Sequence, residues 1–340
     1  MRYKLLGRSG LRVSELCLGT MTFGDDWGWG AGREESARIF TAFAAAGGNF
    51  IDTSNNYTNG TSERLVGAFV AGERERFVIA SKYTLSEQMG DPNAAGNHRK
   101  NMLRTVESSL RRLGTDYLDL LYLHMWDFTT PVEEILRAFD DLVRQGKVLH
   151  IGFSDTPAWV VSRACAIAEL RGWAHPTALQ LEYSLLSRTP ERDLLPMAED
   201  VGLPVLAWGV LEGGELTGKY NRPPAPGETR RSSAASPQAL RLAETLAQVA
   251  GELGCTPAQA AVNWVRQQPR RTPLIPILGA RSEAQLRDNL GCLAVTLAPE
   301  QLQRLTEASP LDLGFPHAFL RQPHLLELIY SGAMPRIDMP

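Results

Sequence analysis

The strongest constraint on this chain is an alternation. Eight short apolar runs recur along it, at Glu15–Gly19, Phe50–Thr53, Phe77–Lys82, Leu118–His124, Leu149–Phe153, Ala178–Leu181, Pro204–Trp208 and Leu274–Leu278. Between them stand segments with helical periodicity at Glu34–Ala46, Ser62–Val70, His98–Leu113, Val132–Gln145, Ala158–Arg171, Glu191–Asp200, Ala239–Leu253, Pro257–Gln267 and Glu283–Leu290. Continuous apolar runs suit parallel strands covered on both faces, and parallel neighbours need a crossover, usually a helix. Gly47, Gly114, Gly146, Gly172 and Gly202 fall just past helix ends, where a left-handed cap is needed. No Pro/Ser/Gly-rich linker divides the units. At 340 residues the chain exceeds the roughly 250 that one (β/α)8 TIM barrel needs, so a single barrel domain spanning residues 1–340 is expected. The surplus falls in two places. One is a long proline-rich loop after strand seven, Tyr220–Pro237. The other is a tail, Ser309–Pro340, with Phe315, Phe319, Leu325, Leu326 and Tyr330, which is apolar enough to pack on the barrel.

Charge narrows the class. Lys plus Arg total 35 against 38 Asp plus Glu, giving a formal charge of −3, without the basic footprint of a nucleic-acid binder. No apolar stretch approaches the ~18 residues that cross a bilayer. The opening MRYKLLGRSGLRVSE is charged and broken by glycine, unlike a signal peptide. Cys17, Cys165, Cys255 and Cys292 stand singly, which predicts reduced thiols, no metal site and a cytoplasmic location.

In a (β/α)8 barrel the chemistry lies at the C-terminal ends of the strands. Asp52 ends strand two, Lys82 strand three and His124 strand four; Tyr57 follows in the loop DTSNNYTNG. Each has an ordinary alternative: a turn-bonding aspartate, a snorkelling lysine, a core histidine, a loop aromatic. Together they form a coherent set. A phenol with a pKa of about 10 is a poor acid near neutrality, and a nearby ammonium lowers that pKa. A carboxylate keeps the ammonium charged and aimed, and an imidazole orients a carbonyl oxygen. Such a set reduces a carbonyl if a hydride donor is supplied.

No Rossmann fingerprint supplies one: Gly28-Trp29-Gly30-Ala31-Gly32 lacks the strand–turn–helix context. Gly213 to Tyr220 approaches GxxxxGK[ST] but carries Tyr220 where the magnesium-binding hydroxyl belongs; its backbone N–H groups could still face a phosphate. After strand eight, Gly279-Ala280-Arg281 runs into a helix at Ser282. This is either a phosphate site with Arg281 as its clamp or a capping box, Ser282-x-x-Gln285.

The ordered set LGRSGLRVSELCLGTMTFG, FIDTSNNYTNGTSERLVG, IASK, DYLDLLYLH, LVRQGKVLHIGFSD, LQLEYSLLSR, LTGKY and IPILGARSEAQLRDNLG resembles the aldo-keto reductases, in particular their bacterial branch related to potassium-channel β subunits. The resemblance implies NADPH-dependent reduction of an aldehyde or ketone, a small-molecule carbonyl partner and no metal. It places the catalytic tetrad on Asp52, Tyr57, Lys82 and His124. Carboxamide contacts fall on Ser154, Asp155 and Gln180, and a stacking aromatic on Trp208. Strand-one contacts fall on Gly19, Thr20 and Met21, and the loop after strand seven adds Leu211 and Gly213. Arg281, Gln285 and Asn289 take the adenosine end, with Arg281 facing the 2′-phosphate. The chain departs from the pattern in Asp155, where many members carry Asn, and in Gly209, Glu212 and Glu215, which put two carboxylates into a phosphate-binding loop. Those carboxylates repel a pyrophosphate unless they face solvent, and Arg222, Arg230 and Arg231 of the following loop would offset them by folding over the cofactor. Two other readings compete: a nucleotide-binding regulatory subunit with weak turnover, and a Schiff-base barrel lyase using Lys82. Trp27, Trp29, Trp126 and the tail aromatics are candidates for an apolar substrate wall. Oligomeric state is not encoded legibly.

Overall fold

The computed structural model describes residues 1–224, 230 and 234–338. Its centre is a closed barrel of parallel strands. In chain order these are β3 (Cys17–Gly19), β4 (Phe50–Asp52), β5 (Val78–Tyr83), β6 (Leu118–Leu123), β7 (Val148–Ser154), β8 (Pro176–Glu182), β9 (Val205–Trp208) and β10 (Leu274–Gly279), with β10 closing on β3. Sequential strands are neighbours throughout, as right-handed crossovers dictate. The crossovers are the helices α1 (Arg33–Ala45), α2 (Thr61–Val70), α3 (Arg99–Leu113), α4 (Val132–Arg144), α5 (Ala158–Arg171), α6 (Leu194–Val201), α7 (Pro237–Leu253) with α8 (Pro257–Arg266), and α9 (Glu283–Leu290). All eight expected runs are strands, and the capping glycines behave as expected: Gly114 and Gly172 end α3 and α5 at φ +64° and +61°.

Two elements escape a reading by apolar runs. Tyr3–Leu5 (β1) and Arg12–Ser14 (β2) pair antiparallel as a hairpin below the barrel. Alternation is too short to see in three-residue strands, but Leu6 and Val13 are fully buried in the interior cluster with Phe50, Val78, Leu120 and Tyr122, so the hairpin seals the N-terminal end. A tenth helix, α10 (Pro299–Ala308), packs on α7.

The tail differs from expectation beyond its root. Arg188 donates to the carbonyls of Thr306 and Ser309, and Arg192 Nε to Asp312 O at 2.9 Å, which ties the chain down beside the loop after β8. Beyond that point α11 (His317–Leu320) and α12 (Pro323–Ile329) bury no residue. Phe315, Phe319, Leu328 and Ile329 stay exposed, because the tail is held by polar bonds at its root rather than by an apolar face. The four cysteines are unpaired, and three of them are buried. Among the described residues no helix is long and apolar enough to cross a membrane.

Candidate active site

Register brings the strand-end residues together. Asp52 is the last residue of β4, paired beside Ala80, and Lys82 lies two residues further along β5 on the same, interior face. Lys82 is completely buried and Asp52 nearly so. Lys82 Nζ donates to Asp52 Oδ2 at 2.7 Å, to the Thr53 carbonyl at 2.9 Å and to Tyr57 Oη at 3.1 Å. Tyr57 comes from a loop that its own sequence pins. Thr58 and Asn59 take positive φ, +44° and +54°, and Thr58 Oγ1 donates to the Phe23 carbonyl at 2.6 Å while accepting from Ser62 N at 3.0 Å. Strain of this kind persists only where the surroundings over-determine the backbone. His124, just past β6, lies edge-on to the Tyr57 ring at 6.0 Å, and its Nδ1 is 3.1 Å from Ser54 Oγ. The four residues singled out by strand position therefore stand in one cluster at one mouth.

The electrostatics depart from the simplest expectation at Tyr57. Burial pushes its phenol up, and the Lys82 ammonium, which acts the other way, does not fully offset it, so the net direction is upward. Tyr57 is thus a protonated acid across neutral pH. Burial disfavours the Lys82 ammonium, but Asp52 and then Tyr57 outweigh that and raise its pKa. An ammonium held by three acceptors is a poor Schiff-base nucleophile, which removes the basis for the lyase reading. Burial, and then the charge of Lys82, push the His124 imidazole well below its ordinary value, so the ring is neutral.

Beside this cluster Ser154, Gln180, Glu182 and Trp208 end β7, β8 and β9 in adjacent register. Trp208 Nε1 donates to Asp155 Oδ1 at 3.0 Å, fixing both side chains. Burial raises the Asp155 carboxyl to about 6, against the pull of that bond and of Lys82. Gln180 has a role strand position does not reveal: its Nε2 donates to Asp52 Oδ1 at 2.8 Å, so one amide N–H is committed to the carboxylate. Ser154 Oγ is buried with no hydrogen-bond partner among the described residues. A buried hydroxyl without a partner is costly, and a polar ligand edge here satisfies it; Ser154, Asp155 and Gln180 thus suit a carboxamide. Over them opens a cleft of about 550 Å³ lined by Trp126, Phe128, Asp155, Gln180, Pro190 and Trp208.

The remaining expected contacts are more scattered. Gly19 ends β3 and Met21 is half-buried, but the Thr20 hydroxyl is committed to the Asp52 carbonyl at 2.9 Å and to Ser62, so only its backbone is left for a ligand. Leu211 precedes a 3-10 turn, Glu212–Thr217, in which Gly213 and Gly214 take φ +62° and +96°. A Cβ at Gly214 would stand 2.5 Å from Lys219 Nζ, so glycine lets that ammonium lie over the loop. The two unusual carboxylates are half-buried, and each accepts a hydrogen bond from the protein. Ser184 Oγ donates to Glu212 Oε1 at 2.5 Å, and Ser236 N donates to Glu215 Oε2 at 3.4 Å. Arg230 donates to the carbonyls of Lys219 and Arg222 and stacks on Tyr220, 5.0 Å from the ring centre. Arg231 lies outside the described residues, as do 225–229 and 232–233 of the expected cover.

After β10 the Ser282 segment is built as a helix cap. Ser282 Oγ accepts from Gln285 N at 3.3 Å, and Gln285 Oε1 accepts from Arg281 N at 2.9 Å, so Gln285 is used as a cap. Glu35 of α1 accepts from Glu283 N at 2.6 Å, placing a carboxylate at the start of α9. A phosphate there depends on the Arg281 guanidinium more than on the helix N-terminus. Asn289 is buried on α9. Trp126 lines the cleft, whereas Trp27 and Trp29 pack on each other at 5.7 Å, Phe315 and Phe319 of the tail lie exposed and Tyr330 is half-buried.

A sequence profile described as the Aldo/keto reductase family matches residues 15–310. The chain belongs to the aldo/keto reductase family. Norsolorinic acid reductase of Aspergillus flavus is 39% identical over 329 residues, covering 93% of this chain and 83% of that protein. A putative aryl-alcohol dehydrogenase of Saccharomyces cerevisiae is 36% identical over 338 residues, covering 94% and 89%. Aryl-alcohol dehydrogenase [NADP(+)] of Phanerodontia chrysosporium is 36% identical over 353 aligned positions, covering 95% and 90%. These relatives are fungal reductases and dehydrogenases and do not support the placement beside potassium-channel β subunits. With the family come an oxidoreductase activity on carbonyl groups and a nicotinamide cofactor.

Proposed function

We propose that this aldo/keto reductase uses NADPH to reduce aromatic aldehydes or ketones, with Tyr57 as general acid. The observation that carries the reading is the position of Lys82 Nζ, 2.7 Å from Asp52 and 3.1 Å from Tyr57 Oη on a fully buried floor. The reduced nicotinamide, when bound, supplies a hydride to the carbonyl carbon. Tyr57 delivers the proton to the carbonyl oxygen, and Lys82 stabilises the phenolate left behind. Asp52, itself held by Gln180, keeps Lys82 charged and aimed. Neutral His124 orients the carbonyl oxygen. Ser154, Asp155 and Gln180 hold the carboxamide, and Trp208 the ring. Gly19, Met21, Leu211, Gly213, Arg281, Gln285 and Asn289 are the candidates for the rest of the dinucleotide. Arg281 favours the phosphorylated cofactor because a guanidinium grips phosphate in a bidentate way.

The aromatic preference rests on the walls of the cleft. Trp126, Phe128 and Trp208 present ring surface to whatever enters, and flat aryl substrates stack on such walls. The names of the relatives agree with this. The test is NADPH consumption with matched aryl and aliphatic aldehydes and ketones, beside NADH, in the native enzyme and in Tyr57→Phe. The reading expects higher kcat/KM for aryl carbonyls and turnover lowered about 10²–10⁴-fold in the variant, with NADPH binding retained. Near-native turnover in Tyr57→Phe removes the acid role.

A further inference from the structure

One buried polar chain at the site is not used by this mechanism. Ser54 Oγ, fully buried, lies 3.1 Å from His124 Nδ1, 2.8 Å from Asn56 Oδ1 and 3.3 Å from Asn55 Oδ1. A neutral imidazole carries one proton, and the partner at one nitrogen decides where it sits. Among the described residues His124 hydrogen-bonds through Nδ1 and not through Nε2, so Nε2 is the nitrogen left for a substrate. A hydroxyl has a single proton to give. If Ser54 gives it to an Asn56 carbonyl oxygen, Ser54 Oγ must accept from Nδ1–H, and Nε2 offers only a lone pair. A lone pair repels a carbonyl oxygen and suits an alcohol proton. If the Asn56 amide turns so that Nδ2–H donates to Ser54 Oγ, two acceptors are left for the Ser54 proton, and it goes to Nδ1 at 3.1 Å, nearer than Asn55 Oδ1 at 3.3 Å. Nε2–H then faces the cleft and bonds a carbonyl oxygen.

Only Asn56 can turn. The Asn55 amide nitrogen is fixed by two acceptors, the Leu85 carbonyl at 3.0 Å and Glu87 Oε1 at 3.1 Å. Ser54 Oγ is the one hydrogen-bond partner of the Asn56 side chain among the described residues, and the two ends of an amide are interchangeable in shape. We infer that Ser54 and Asn56 are positioning residues that select the tautomer of His124, with the Asn56 N–H turned to Ser54 so that Nε2–H meets the substrate oxygen in the transition state that carbonyl reduction and alcohol oxidation share. The inference rests on reading His124 as the group that orients the substrate oxygen. Neutrality of the ring, which its burial enforces, is what lets a tautomer rather than a charge be selected.

The experiment uses enzyme labelled with ¹⁵N-histidine, saturated with NADPH, and long-range ¹H–¹⁵N NMR, with His124 assigned by His124→Gln. The native enzyme is expected to carry the proton on Nε2. Asn56→Asp can only accept while ionised, so it should move the proton to Nδ1. It should lower kcat/KM for carbonyl reduction and for alcohol oxidation by the same factor, about 10–100-fold, because the two directions share one transition state, and leave the NADPH dissociation constant unchanged. In a Ser54→Ala background the same substitution should leave the tautomer and both rates where Ser54→Ala alone puts them, because the relay passes through the hydroxyl. Ser54→Thr should keep the native tautomer. A native proton on Nδ1, an unmoved proton in Asn56→Asp, or an equal effect of Asn56→Asp with and without the Ser54 hydroxyl overturns the inference. The NMR result is independent of turnover, so failure of the relay is distinct from failure of the reductase reading, which would appear as no carbonyl reduced by a native enzyme whose tautomer does respond.

Discussion

Replacing Lys82 by Met tests the buried floor directly. The ammonium has no exposed side-chain surface and Asp52 retains about 4%, so their 2.7 Å contact is a desolvated pair. Taking away one partner leaves a buried carboxylate with, among the described residues, only Gln180 for support, a class of change that costs about 3–5 kcal/mol. With an unfolding entropy of roughly 2.1 cal/mol/K per residue, 340 residues give about 0.7 kcal/mol/K, so Tm should fall by about 4–7 °C. Asp52→Asn together with Lys82→Met removes both charges. The Gln180 N–H still finds an amide oxygen, and about 2 kcal/mol or more of the loss should return. Urea and thermal unfolding of the native chain, both single variants and the double variant close the cycle. A Lys82→Met cost below about 1 kcal/mol, or a double variant no more stable than the single, would refute the idea that the two charges are held by each other.

Three further outcomes follow from the geometry. Arg281→Ala should weaken NADPH binding about 10–150-fold and NADH binding far less, by fluorescence titration; equal losses would move the 2′-phosphate elsewhere. Asp155 titrates near 6, so its carboxylate form dominates above that pH; NADP+ affinity should rise about fivefold from pH 5 to pH 7, because a charge-assisted bond to the carboxamide is stronger than a neutral one, and Asp155→Asn should flatten the profile. Glu212→Gly/Glu215→Leu should change NADPH affinity less than about threefold at any salt, since Ser184 and the Ser236 amide already hold those carboxylates; tighter binding that grows at low salt would show that they do face the pyrophosphate.

The legible part of this protein was periodic or positional. Parallel strands covered on both faces must read as apolar runs, so β3 to β10 could be found without a structure. The end of each run marks the barrel mouth, so Asp52, Lys82 and His124 could be nominated by position alone. The hairpin of β1 and β2 was not legible, because three residues give no period and burial of Leu6 and Val13 depends on what lies above them. The tail misled because five apolar side chains say nothing of whether a surface exists to receive them.

Sequence by itself determined the order of the elements, the closure of eight strand–helix units into one barrel and the strand ends on which chemistry could sit. Chain chemistry is local, and these properties follow from spacing of 2, 3.6 and one unit length. Tertiary structure alone decided what each group is bonded to. Gln180 reaches Asp52 across 128 positions, Trp208 reaches Asp155 across 53 and Ser54 reaches His124 across 70. Bonds at such separations leave no period in the chain. It likewise decided the sign at Tyr57, where the sequence shows the lysine but not the burial that outweighs it. It decided the setting of Glu212 and Glu215 too, whose donors, the Ser184 hydroxyl and the Ser236 amide, lie 28 and 21 positions away.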